Sequence, residues 1–409
     1  MATLTLASPL TLPCGAVLKN RFGKAPLTEG LADELNRATA RHEALYGRWA
    51  QGGAGLVVTG NVQVDRRYLE RPGNVVIDGN GGFEELKAYA KAGTQNGTHL
   101  FMQINHPGRQ TPRRICEEPI APSAVKLRNL PETAFAPPRA MTANEVEDVI
   151  FRFVNVAVVA REAGFTGVQI HAAHGYLISQ FLTPLVNQRT DQWGGSLENR
   201  ARLLLTIVRE MRQAVGPDFP ISVKLNSSDF QQGGFSNADC LQVVRWLEEA
   251  GLDLLEISGG NYEEPSMMGS KTSEGAAVAD STVRREAYFM DYAEQIRTVS
   301  KVPLMVTGGF RSRAAMEAAL ASGALDVIGL GRPMCVETDL PARILAGGDG
   351  TAWEKSIKPA KAGLAWFCLA LIAHGDGKTP NTSLTGPEAI ELYLKNEEAT
   401  AVKLRDRAA

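Results

Sequence analysis

The chain has no block of Lys or Arg, no long apolar run and few cysteines, and each shortage removes a class of function. With 43 Lys+Arg against 45 Asp+Glu in 409 residues, the formal net charge is −2. That balance supplies neither the electrostatic footprint of a nucleic-acid binder nor a polybasic patch for anionic lipid. A small-molecule partner is the expectation. The longest uninterrupted apolar run, Leu364 to Ala373, is about half of a bilayer span. Met1 to Gly15 shows no positive segment followed by an apolar one, so the expected location is cytoplasmic, away from membranes. The five cysteines, Cys14, Cys116, Cys240, Cys335 and Cys368, stand far apart without a C-x-x-C pair. Their spacing supports neither a disulfide framework nor a zinc or iron–sulfur clip, and buried free thiols are expected. There is no G-x-G-x-x-G and no Walker loop. His42-Glu43-Ala44-Leu45-Tyr46 breaks the zincin pattern at Tyr46, where a second histidine is required.

What is present is a repeated alternation of short β-branched runs with helical stretches, on 44% hydrophobic residues, enough for one large core. The runs are Arg21 to Thr28, Gly55 to Thr59, His99 to Asn105, Gly167 to His171, Pro220 to Asn226, Asp253 to Ser258, Val302 to Thr307 and Asp326 to Leu330. Between them the period becomes helical: Leu204, Val208, Met211 and Val215 follow Ser196 as N-cap and stop at Gly216-Pro217, while Val243, Val244 and Leu247 lie between Ser236 and Gly251. Eight β/α units whose strands read as buried on both faces predict a closed parallel (β/α)₈ TIM barrel in preference to an open doubly wound sheet. The barrel core is expected at about residues 21–350 of a single domain. Around it lie an N-terminal segment to Asn20, a Pro-rich excursion from Pro107 to Pro138, a Gly/Ser-rich loop from Gly259 to Ser281 and a C-terminal extension over 351–409. The loop, with Tyr262, Met267 and Met268, is expected to shape a substrate pocket; Trp366-Phe367-Cys368-Leu369 either covers the core or forms a contact in a homo-oligomer.

In such a barrel the loops after the strands form the active face, with phosphates near the last two. Here those loops read Thr307-Gly308-Gly309-Phe310 and Gly329-Leu330-Gly331-Arg332-Pro333. Glycines let backbone N–H groups approach an anion, a helix beginning near Ser312 adds its positive end, and Arg332 is a forked donor. Either segment alone could be only a tight turn; both together favour a phosphorylated ligand. At the end of the fourth strand stands His171-Ala172-Ala173-His174-Gly175-Tyr176, with two of the six histidines. The two imidazoles could bind zinc, but no third ligand stands at motif spacing. Neutral histidines can instead donate to a carbonyl oxygen that becomes an enolate, while Tyr176 delivers a proton; the bland alternative is a core histidine pair beside a packing tyrosine. Ala25-Pro26-Leu27-Thr28 brings a hydroxyl to the barrel mouth. Gln103 and Lys224 lie on apolar strands where unpaired burial is costly, so they serve a ligand, or Lys224 pairs with a carboxylate such as Asp229.

Together these segments, with Gln103-Ile104-Asn105-His106-Pro107-Gly108-Arg109-Gln110 and the block from His171 to Arg202, resemble the old yellow enzyme family of FMN-dependent ene-reductases over roughly Pro9 to Gly350. The thirty residues from His171 to Arg200 look like the family signature. The resemblance implies FMN in the barrel mouth, with Ala25, Pro26, Leu27 and Thr28 along the isoalloxazine and the Thr28 hydroxyl near its O4. It further implies Gly60, Gln103 and Lys224 at the pyrimidine side, and Gly308, Gly309, Gly331 and Arg332 around the phosphate. His171 and His174 would bind a substrate carbonyl, His171 also bordering the cofactor, and Tyr176 would donate the proton. Two residues depart from the family pattern: Lys224 stands where arginine is commoner, and Trp193 where tyrosine or phenylalanine precedes Gly-Gly-Ser. Thr28 matches the branch that does not carry cysteine there. Cys335 and Cys368 cannot supply the four thiolates of an iron–sulfur cluster, so the single-domain form is expected. The implied activity is NAD(P)H-dependent reduction of the C=C bond of an α,β-unsaturated carbonyl compound in a ping-pong cycle. The competing readings are a metal-assisted lyase or hydrolase on His171 and His174, and a non-catalytic binder of a phosphorylated ligand.

Overall fold

Strands buried on both faces need cover inside and out, and a closed cylinder ringed by helices provides it. A computed structural model describes residues 4–258, 290–348, 357–359 and 362–408 of the chain. The barrel strands are β1 (Phe22–Lys24), β2 (Leu56–Gln63), β3 (His99–Asn105), β4 (Gly167–Ala172), β5 (Ile221–Asn226), β6 (Leu254–Ser258), β7 (Leu304–Thr307) and β8 (Val327–Leu330). They pair in sequence order, all parallel, and β8 returns to β1. All eight coincide with the β-branched runs read from the sequence.

Side chains alternate across this wall as the period of two requires. Outward positions such as Val57, Leu100, Met102, Ile170, Val223, Leu255 and Val306 join one large core beneath the helices. Inward positions toward the N-terminal end of the strands, Leu56, Val58, Phe101, Leu254, Met305 and Val327, form a separate apolar plug that Ala25, just past the short β1, joins. A hairpin of Leu10–Thr11 with Val17–Leu18 closes that end, adding Leu10, Leu12 and Leu18 to the plug, and the Cys14 N–H donates to Asp253 Oδ1 at 2.9 Å. Crowding inside is severe: a Cβ on Gly167 would stand 2.5 Å from the Phe101 ring.

The surrounding helices are α1 (Ala40–Gln51), α2 (Phe83–Gly93), α3 (Ala143–Ala163), a short α4 (Leu177–Leu182), α5 (Leu197–Val215), α6 (Asn237–Glu249), α7 (290–297), α8 (Arg313–Ala321) and α9 (Leu340–Leu345). Their starts follow the expected caps: Ser196 accepts from the Asn199 N–H, Ser236 from that of Asp239 and Ser312 from that of Ala315. Beyond the barrel, α10 (Ala362–Gly375) absorbs the apolar run at Leu364 to Ala373 and packs on α1 and on α11 (Gly386–Ala408). Trp366 and Cys368 are buried there, so this stretch covers the core. No helix among the described residues is long and apolar enough to cross a membrane. The loop from Gly259 to Ser281 lies outside the described residues.

Candidate active site

The same inward rows change character toward the C-terminal ends of the strands. One step of two residues beyond the apolar plug come Gln103 on β3, Gln169 on β4, Lys224 on β5, Glu256 on β6 and Thr307 on β7; the next step adds His171, Asn226 and Ser258. A cavity of about 100 Å³ opens among Pro26, Leu27, Thr28, Asn61, Gln103, His171, His174, Tyr176 and Lys224. Most of the residues singled out in the sequence therefore meet in one place, although they come from four different strand ends.

His171, His174 and Tyr176 form a compact aromatic group. The His171 ring lies 5.1 Å from that of His174 and 4.8 Å from that of Tyr176, both edge to face. The turn that gathers them is built locally: His174 has φ +61°, in the left-handed region. Gln180 on α4 donates to the Gly175 and Pro107 carbonyls at 2.7 and 3.1 Å. The Ala173 N–H donates to His171 Nδ1 at 3.3 Å, which leaves the proton of a neutral imidazole on Nε2, the nitrogen available to a ligand. His174 Nε2 lies 2.5 Å from Ser258 Oγ. Burial, seconded by the mutual proximity of the two rings for His171 and by the Lys224 charge for both, holds them neutral: His171 falls well below the usual imidazole range and His174 to about 3. Among the described residues no group of three His, Cys, Asp or Glu side chains could complete a metal site with them.

Lys224 is 5% exposed, and its Nζ donates to Glu256 Oε1 at 2.8 Å. The carboxylate partner is thus on the adjacent strand and is not Asp229, which accepts from Asn226 Nδ2 and the Phe235 N–H to close its own loop. Thr28 Oγ1 donates to Asn61 Oδ1 at 3.1 Å, with Asn61 itself held by Asn74. Gly60 does not border the cavity. The register shift between Val58 and Asn61 turns its N–H outward to Glu29 Oε1 and the Tyr46 hydroxyl, and its carbonyl accepts from Thr59. Asn61 takes its place. Ala25 sits just below, in the apolar plug.

Gly308-Gly309 and Gly331-Arg332 leave the adjacent ends of β7 and β8, as expected. Gly308 and Gly309 have φ of +122° and +85°, a conformation that exposes backbone N–H groups and that a side chain would strain. Nothing stands within 4 Å of a Cβ placed on Gly308 or Gly331, and Arg332 makes no hydrogen bond or ion pair among the described residues. The helix α8 begins three residues after Phe310. Two open glycine turns and a forked cation beside a mouth lined with an amide, an ammonium and a hydroxyl are the donor set that a flavin mononucleotide requires.

The model of the NADH:flavin oxidoreductase / NADH oxidase family matches residues 5–349. The chain belongs to this family. It is 37% identical, over 90% of its length and 95% of the relative's, to the NADH-dependent flavin oxidoreductase iliE of Hypocrea jecorina. It is 38% identical to the protein of the same name from Neonectria sp., over 83% of this chain but 47% of that relative, so it spans about half of that protein's length. Among solved structures, the old yellow enzyme homologue of Zymomonas mobilis superimposes with a TM-score of 0.72 at 27% identity, covering 87% of this chain and 98% of that one. Membership assigns FMN as cofactor and a reduced nicotinamide as electron source.

Within this flavin oxidoreductase fold, Trp193 is buried in the main core and is not among the residues that line the cavity. Sequence reasoning missed Asn61, Gln169, Glu256 and Ser258. Gln169 and Glu256 carried the same signal that marked Gln103 and Lys224, a polar residue inside an apolar strand. Asn61 is displaced by a bulge that no local pattern announces.

Proposed function

We propose that this protein is an NAD(P)H-dependent FMN enzyme that reduces the activated C=C bond of α,β-unsaturated carbonyl compounds. The observation that carries the reading is the edge-to-face group of His171, His174 and Tyr176 in one cavity with Thr28, Gln103 and Lys224. FMN would rest along Pro26, Leu27 and Thr28 above Ala25, with Gln103 and Lys224 at its pyrimidine edge and Gly308, Gly309, Gly331 and Arg332 at its phosphate. When bound, it supplies hydride transfer from the nicotinamide to the substrate. The rest of the chemistry belongs to the chain. His171 offers its Nε2–H, and His174 its remaining donor capacity, to the substrate carbonyl oxygen. Because both imidazoles are neutral, they stabilise developing negative charge without surrendering a proton to it. Tyr176, against His171, donates its hydroxyl proton to the α-carbon. Such positioned donors are each worth roughly a hundredfold or more in rate.

The test is an absorbance spectrum from 300 to 550 nm, repeated anaerobically after NADH or NADPH and then after cyclohexenone. A flavin spectrum that bleaches with the nicotinamide and returns with the enone is the expected result. FMN binding with no reoxidation by enones would leave a non-catalytic binder, and a colourless protein that takes up no FMN would overturn the reading.

A further inference from the structure

Among the described residues Glu256 is the one carboxylate of the polar layer, and the reaction just described gives it no task. It stands on β6 in register with Lys224 on β5 and is fully buried. Its Oε1 accepts from Lys224 Nζ at 2.8 Å and from Thr307 Oγ1 at 2.7 Å, and its Oε2 accepts from Gln169 Nε2 at 2.9 Å. Gln169 Oε1 in turn accepts from Gln103 Nε2 at 2.9 Å. An ionised carboxylate can only accept, whereas each amide has a donor end and an acceptor end. The chain of bonds therefore has one direction: Glu256 demands the Gln169 amino group, Gln169 is left to demand that of Gln103, and the Gln103 oxygen remains for the cavity. The same carboxylate also faces Lys224, the only cation among the described residues that line the cavity. A buried ion pair seldom stabilises a fold more than apolar residues of similar volume would, so stability alone does not account for it.

We infer that Glu256 is a positioning residue of the cofactor site, turning the Gln103 amide oxygen toward the flavin pyrimidine edge and compensating the Lys224 charge, so that FMN meets a neutral pair and not a free ammonium. The inference rests on the reading that FMN occupies this mouth. Reduction of a flavin adds negative charge, which an uncompensated cation favours and an uncompensated carboxylate opposes.

The experiment is a charge cycle on the FMN-loaded protein: Glu256→Gln, Lys224→Gln and the double variant, each measured for midpoint potential by anaerobic dye equilibration and for FMN dissociation by fluorescence. Glu256→Gln is expected to raise the potential, favouring reduced over oxidised FMN by about tenfold or more, the scale of a charge at a few ångströms in a partly buried site. Lys224→Gln lowers it, and the double variant returns close to the native value. If Glu256→Gln does not fold, Lys224→Gln against the double variant reads the same term. A double variant with the potential of Lys224→Gln, or a Glu256→Gln protein that binds FMN with native potential, overturns the inference. A native protein that binds no FMN instead overturns the functional reading beneath it.

Discussion

The two ends of the barrel interior are made by the same strands at the same period of two, yet they share almost no chemistry. Phe101 and Gln103 are neighbours on one face of β3, as are Leu254 and Glu256 on β6 and Met305 and Thr307 on β7. The lower member of each pair packs into a dry plug under the N-terminal hairpin. The upper member enters a hydrogen-bonded ring that opens on the cavity. A wall that must be buried everywhere can tolerate polar side chains only where they satisfy one another or a ligand. The comparison teaches that stability is concentrated below and chemistry above, separated by a single pleat.

That separation can be broken from below. Phe101→Ala removes a fully buried ring from the plug and is expected to cost about 4 kcal/mol of unfolding free energy, measured by denaturant titration. The Tyr176 group should keep its function in the fraction that remains folded. At the rim, Arg71 joins barrel to extension. It donates to the Thr28 carbonyl and to Cys368 Sγ on α10, pairs with Glu397 on α11 at 3.2 Å and stacks on Tyr393. Arg71→Met leaves the buried Glu397 carboxylate to Arg114 and the Tyr393 hydroxyl alone and is expected to cost about 2 kcal/mol, with hydrogen exchange in α11 speeding up before that in the barrel strands.

From above, Tyr176→Phe should leave the unfolding free energy nearly unchanged. It should slow reoxidation of the reduced enzyme by cyclohexenone roughly a hundredfold, with reduction by NADH within about twofold, as stopped flow would show. Equal slowing of both half-reactions would remove the proton-donor role. A further effect is on acid stability, and His42 and His106, lowered by burial to about 3 and about 4, share in it. His171 and His174 are held neutral in the fold, whereas in the unfolded chain they protonate near 6.5. Below that pH the unfolded state binds protons that the folded state refuses, so stability is lost progressively as pH falls from about 6.5 toward the His174 value of about 3. His174→Asn should remove its own share of that slope, giving a smaller loss of stability between pH 7 and pH 4.5 than in the native protein, measured by denaturant midpoints.

Much of this comparison was legible in the linear chain. All eight strands, the three serine caps, and the meeting of Thr28, Gln103, His171, His174, Tyr176 and Lys224 at strand ends follow from local period and punctuation, because parallel barrel strands aim their C-terminal ends at one face. Pairing was not legible. The ammonium of Lys224 could be expected to need a carboxylate, but Asp229, five residues away, was as plausible as Glu256, which is thirty-two residues distant and one strand over. That Asn61 and not Gly60 lines the cavity was hidden for a similar reason, since a bulge in β2 reverses which residue faces inward.

The amino-acid order by itself determined the eight-strand alternation, the glycine turns after β7 and β8 and the clustering of His171, His174 and Tyr176, since each depends on neighbours within a turn or a pleat. Only the closed tertiary structure decided that Glu256 faces Lys224, that Asn61 replaces Gly60 at the cavity and that Arg71 ties Thr28 to α10 and α11. Those are contacts between residues far apart in the chain, and they exist only once barrel closure has set the register of every strand against its neighbour.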